Sequence, residues 1–138
     1  MEQGAGSRVM RLIVLLVSLL LAAFFGFVGY NKAFASLSDL ARYGSWTIWI
    51  PVALGRIVGW SEMACAVALA SGIVPRFIPV ARASAGVLIA NQFCAAAVHA
   101  SHGELKALPQ NAVLILLLAR VASYRPRLTP PDDQKGPL

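Results

Sequence analysis

The chain has 138 residues, 58% of them hydrophobic and 13% charged, with a mean hydropathy of +0.68. A water-soluble domain of that length has too little interior to hide so much apolar surface, so lipid must solvate much of it. The net charge of +6 does not point to nucleic acid, because the basic residues stand at the ends of hydrophobic runs, not on a polar face interleaved with aromatics.

A short polar start ends at Arg8 and Arg11. Residues 12–30 then run uncharged for nineteen residues, about 28 Å of helix, enough to span a bilayer. Ala22, Gly26, Gly29 and Ala33 give this first helix a stripe of small residues. A competing reading is a cleaved signal peptide, since Ala33-Phe34-Ala35 offers a small-residue cleavage site. Against it, the run is longer than a usual signal core and Lys32 immediately precedes the site. Residues 31–49 form a more polar connection with Lys32, Asp39 and Arg42. Tyr43, Trp46 and Trp49 in it suit the lipid headgroup level, which predicts an interfacial loop anchored by aromatic rings. Pro51 breaks regular structure before the second span.

The second span, residues 55–74, is the informative one, because it carries Glu62 inside an apolar run. A charged side chain at mid-membrane costs roughly 2.5–3.5 kcal/mol, so such a residue faces protein or a wet cavity. Gly55, Gly59, Glu62 and Ala66 recur at helical spacing and form one narrow stripe. Small residues on that stripe let a neighbouring backbone approach closely, which turns Glu62 toward a helix–helix contact. Gly72 and Pro75 close the span and Arg76 sits in a tight turn. The third span covers residues 77–98, with Arg82 near enough to its start to snorkel. The fourth covers 107–124, with Pro109 in its first turn, and residues 125–138 read as a disordered tail.

The expected fold is therefore an all-α integral membrane four-helix bundle occupying residues 1–124. Of the twelve basic residues, eight fall on the side of the two termini and four on the other. The positive-inside rule then places both termini in the cytoplasm, with the cell membrane, the bacterial inner membrane, as the expected location. This topology gathers the unusual residues at one depth in the outer half. Lys32 ends the first span, Arg56 opens the second, and Glu62 lies about 9 Å deeper. Asn91, His99 and His102 are expected to share a face of the third span, with Asn91 level with Glu62, and Gln110 and Asn111 begin the fourth. An outer-facing polar pocket built on Glu62 is the prediction, with Lys32, Arg56, Asn91, His99 and Asn111 around it. The bland counterpart is that Glu62 is paired with Asn91, Arg56 or Lys32 and only holds the helices in register.

Other chemistry is less well supported. His99 and His102, with Glu104, resemble part of a metal site but fall short of the usual three or four ligands, so no metal is expected. Cys65, one turn from Glu62, and Cys94 are thiol candidates, although burial among apolar residues favours inert packing. There is no Gly-rich phosphate loop, no CxxC and no nucleophile beside a recognisable base.

Several landmarks resemble the DoxX-like family of small four-helix membrane proteins. They are Gly29-Tyr30-Asn31-Lys32, Gly59-Trp60-Ser61-Glu62, Arg76 in the tight turn, His99, Gly103-Glu104 and Asn111. The resemblance covers residues 15–124. It implies an association with quinone-linked oxidation or with a membrane redox complex, while many relatives have no established activity. The leading expectation is an accessory subunit without independent catalysis, whose pocket binds a quinone, a lipid or a similar small ligand. The bilayer is its expected environment, with a redox complex or a second copy as partner. Three alternatives stay open: an assembly factor for another membrane protein, a redox subunit acting through Cys65 and Cys94, and a small proton-coupled transporter.

Overall fold

The computed structural model describes residues 2–126, with side chains from residue 5 onward. Four long helices, α1 (Glu2–Phe34), α3 (Val52–Ser71), α4 (Ile78–Ser101) and α5 (Leu108–Ser123), are joined in chain order, with a short α2 (Leu37–Arg42) after the first. No strand occurs among the described residues. All four long helices are extended and apolar enough to cross a membrane; α3, with 20 residues, is about 30 Å long. The all-helical membrane bundle expected from composition is thus the fold. Of the tail expected to be disordered, residues 125–126 are non-helical and those from 127 onward lie outside the described residues.

The helix ends differ from the expected ones for identifiable reasons. The first span continues past residue 30 to Phe34, because Lys32 finds a counter-charge inside the bundle and does not have to leave it. The second starts at Val52, directly after Pro51, which occupies the N-cap. Arg82 does not simply extend toward water: its Nε donates to the backbone oxygen of Ala122 at 2.7 Å. That satisfies one of the carbonyls orphaned at the C-terminal end of α5 and sets a positive charge against the helix dipole.

Packing follows the small-residue stripes. The buried residues of α3 are Gly55, Gly59, Glu62, Ala66 and Leu69, the predicted stripe extended by one turn. The most extensive helix–helix contact is between α1 and α3, and it is closest where Gly29 meets Gly59. A Cβ on Gly59 would stand 2.5 Å from the backbone nitrogen of Ala33 and 2.7 Å from the carbonyl oxygen of Gly29. Neither atom can move aside, so the crossing demands glycine on both helices. Each long helix contributes a large enclosed side chain to a common core, Phe25, Leu69, Leu88 and Leu118. The opposite faces present Leu20, Val67 and Leu116 at 70–72% exposure, an apolar exterior that suits acyl chains.

The connection after α1, expected as a loop, contains the short helix α2 and a 3₁₀ segment. Ser36 caps α2, its Oγ accepting from the Asp39 amide at 3.1 Å and donating to the Asp39 carboxylate at 2.6 Å, which satisfies one of the amides orphaned at the helix start. Gly44, at φ +66°, then reverses the chain, with the Ser45 amide donating to Leu40 O and its own amide to Ala41 O. This double closure needs the left-handed conformation that glycine adopts freely. It turns the 3₁₀ segment Trp46–Trp49 back over the ends of the helices, where Leu40, Trp46 and Thr47 are buried. Trp46 is therefore part of the protein interior. Trp49, still exposed, stacks on His102 with ring centroids 4.2 Å apart.

The close approach at Gly59 makes a direct prediction. Gly59→Ala should lower thermal stability in detergent by about 1–3 kcal/mol, the usual cost of forcing atoms into a packed contact. Gly86→Ala, on a helix position with nothing within 4 Å of the added Cβ, should be neutral or stabilising by up to about 1 kcal/mol. Equal effects of the two substitutions would contradict the crossing geometry.

Candidate functional site

The predicted stripe on α3 brings Glu62 to the α1–α3 contact, where it has no exposed surface. Its Oε1 accepts two hydrogen bonds, from Lys32 Nζ at 2.6 Å and from Asn91 Nδ2 at 2.6 Å. Lys32 is itself only 4% exposed, so the ion pair is withdrawn from solvent on both sides. Charge-assisted bonds of this kind are the strong ones, and in a low-dielectric interior each partner is the other's main compensation. The second carboxylate oxygen, Oε2, has no donor within reach. Arg56, expected in the pocket, instead donates from Nη1 to the Lys32 backbone oxygen at 2.8 Å. It fixes the last turn of α1, from which Lys32 projects.

A cavity of about 300 Å³ lies on the other side of Lys32. Its polar walls include Lys32, Trp46, Gln92, His99, Gln110 and Asn111, and its apolar walls Phe24, Phe27, Val28, Leu40 and Leu114. The lid segment after α1 supplies Tyr43, Gly44 and Ser45 as well as Trp46. Lys32 Nζ stands 5.4 Å from the centre of the Trp46 ring, a cation–π contact that ties the lid to the buried ion pair. Lys32 thus has two roles at once: it neutralises Glu62 and it forms part of the cavity wall.

Of the residues singled out in the sequence, Lys32, His99 and Asn111 line the cavity. Glu62, Asn91 and Arg56 stand outside its lining and support it through Lys32. The shared face expected for Asn91, His99 and His102 is not formed. The buried face of α4 instead carries Gln92, Ala95 and His99, at helical steps of three and four, while Asn91 sits at its edge facing α3. Gln92 was missed because it stands next to Asn91, and only the one-residue offset decides which amide looks at the glutamate and which at the cavity. The same rotation separates the two histidines. His99 Nδ1 is 2.6 Å from Glu104 Oε2, whereas His102 is exposed and its Nδ1 is 2.9 Å from the backbone oxygen of Val98. Among the described residues no group of three or more metal-ligating side chains is assembled.

The thiols are also apart in character. Cys65 is half-buried against the core and Cys94 is exposed on α4; neither is in a disulfide. Two buried donors, Trp46 Nε1 and Asn111 Nδ2, have no acceptor, and both belong to side chains of the cavity wall. By composition Trp46 suits the membrane surface, and only the folded segment 36–49 brings its orphan donor to the same cavity as that of Asn111.

Residues 16–121 match the DoxX-like family. The chain belongs to the DoxX-like family. The match runs from the middle of α1 to the end of α5 and so takes in all four long helices of this DoxX-like protein, including every residue of the ion pair and the cavity. Neither the curated proteins nor the solved structures gave a significant match.

The buried pair predicts an asymmetric mutational pattern. Lys32→Met and Glu62→Leu should each destabilise the protein by about 3–5 kcal/mol, because each leaves an uncompensated buried charge. The double substitution Lys32→Met with Glu62→Leu should recover most of that loss in thermal unfolding. Additive losses in the double variant would show that the two side chains are not each other's partners.

Proposed function

We propose that this DoxX-like protein is an accessory membrane subunit whose cavity binds a small molecule with an acceptor-bearing polar head and an apolar remainder, a quinone or a lipid. The observation that carries this reading is that Trp46 and Asn111, each with an orphan donor, line the same cavity as Lys32. A buried donor without an acceptor costs about 1–3 kcal/mol. A wall that holds two of them and a lysine is suited to an acceptor that arrives from outside. Quinone carbonyls and the ester oxygens of a lipid fit that requirement, and the aromatic and aliphatic walls fit the rest of such a molecule. The cavity volume, about 300 Å³, is at the lower end of small-molecule sites, so it suits a head group and not a whole lipid.

In this reading Lys32 and Asn111 meet the ligand head, His99 and Gln92 flank it, and Glu62 acts through Lys32. The distribution of basic residues supports a cytoplasmic location for both termini. The cavity then lies toward the extracytoplasmic face of the cell membrane, where a partner redox complex would exchange ligand with it. The alternatives lose their central group. An assembly factor that uses Glu62 to pair a client's basic residue would have to expel Lys32 from a fully buried contact. A transporter that cycles protons on Glu62 meets the same fixed counter-charge. Direct thiol chemistry lacks a paired cysteine.

A binding measurement with a short-chain benzoquinone, on the full chain in lipid nanodiscs, tests the reading. Trp46→Phe and Asn111→Leu each remove one orphan donor while keeping shape. Both should weaken binding about fivefold to tenfold, as expected for one lost hydrogen bond. Both should leave the stability of the ligand-free protein unchanged or slightly raised, because an unsatisfied buried group is gone. Unaltered binding in both variants would contradict the proposal.

A further inference from the structure

The end of α4 is built to hold His99 in one orientation. Gly103, at φ +76°, lets the chain turn back so that the Glu104 amide donates to His99 O at 2.9 Å and the Gly103 amide to Ala100 O at 3.2 Å. This is the two-bond closure of a helix by a left-handed glycine. It folds Glu104 over the last turn and sets its carboxylate 2.6 Å from His99 Nδ1. The carboxylate is 39% exposed and the histidine side chain only 7%. A carboxylate accepts hydrogen bonds, so Nδ1 carries a proton, and the tautomer that this bond selects has its lone pair on Nε2. The ring also lines the cavity, and Nε2 is the one nitrogen left for an occupant.

The cavity therefore offers several fixed donors and one fixed acceptor. Lys32 on α1, the Trp46 indole and the orphan amide of Asn111 donate, and His99 on α4, with its tautomer set by Glu104, accepts. The amides of Gln92 and Gln110 serve either way and do not discriminate. We propose that the cavity selects a head group that brings a hydroxyl donor as well as an oxygen acceptor, that is, the hydroquinone form of a quinone couple over the quinone. One hydroxyl would donate to His99 Nε2, and the oxygen at the other end of the ring would accept from Lys32 Nζ. A quinone satisfies Lys32 and the two orphan donors equally but brings no donor to His99. Glu104 is a positioning residue, since it acts only through the imidazole. The inference rests on the ligand reading of the cavity given above and names the redox form it holds.

The test is equilibrium binding of a short-chain benzoquinone and of its hydroquinone, measured anaerobically on the full chain in nanodiscs. Wild type should bind the hydroquinone about tenfold more tightly than the quinone, which raises the potential of the bound two-electron couple by about 30 mV. Glu104→Gln should reduce hydroquinone affinity severalfold and quinone affinity by less than twofold. ¹⁵N resonances of the His99 ring in wild type provide a reading that needs no substitution: Nε2 should shift on hydroquinone addition and stay in place with quinone. Equal affinity for the two forms, equal loss of both in Glu104→Gln, or an unmoved Nε2 resonance would each overturn this inference alone. Failure of either form to bind would overturn the ligand reading of the cavity together with it.

Discussion

An ammonium and a carboxylate cannot both be withdrawn from water inside a lipid-embedded bundle unless each compensates the other. The contact between Lys32 and Glu62, at 2.6 Å and with both side chains almost fully enclosed, is the constraint on which the remainder depends. It requires α1 and α3 to lie close enough for a lysine and a glutamate to meet directly. Glycine at both sides of the crossing, Gly29 and Gly59, makes that distance attainable. Asn91 then brings α4 to the same carboxylate, so one acid registers three helices. Buried ion pairs add little net stability relative to apolar packing of the same shape. The pair is better understood as fixing which residues meet, with the apolar core beneath it supplying the bulk of the packing.

The position of the cavity follows from that register. Lys32 reaches Glu62 on one side and the cavity on the other, and its ammonium lies against the Trp46 ring. The lid is held by its own turn chemistry, through the Ser36 cap and the Gly44 reversal, and it is docked by that lysine. A lysine that were merely exposed at the end of α1 would give no wall and no reason for Trp46 to be buried. The chemistry of the site is thus coupled to the fold through one side chain. The glutamate that stood out in the sequence controls the site at one remove.

Much of this was legible in the sequence, and the limits have physical causes. The four spans, the stripe of Gly55, Gly59, Glu62 and Ala66, and the inward turn of Glu62 all follow from hydrophobic runs and helical periodicity. The family landmarks read there, Lys32, Glu62, His99 and Asn111 among them, fall within the matched segment. What the sequence could not supply was the rotation of α4 to within one residue, which places Gln92 and not Asn91 in the cavity. Nor could it supply the fate of residues 31–49, whose tryptophans suit a membrane surface and a protein interior equally by composition. The Ser36–Asp39 cap and the Gly44 and Gly103 reversals were present as local signals. Read as helix punctuation, the spacing of His99, Gly103 and Glu104 would have brought the acid back to the histidine without any metal.

The most direct test of the central contact is a distance measured in a bilayer. Solid-state nuclear magnetic resonance can detect dipolar coupling between ¹⁵N at Lys32 Nζ and ¹³C at the Glu62 carboxyl, with Lys106→Arg and Lys135→Arg used to assign the lysine signal. The structure predicts strong coupling, at the separation of a direct hydrogen bond, and its loss in Glu62→Gln labelled only at lysine and glutamate. A Lys32 ammonium without measurable coupling to Glu62 in the membrane-embedded protein would contradict the account.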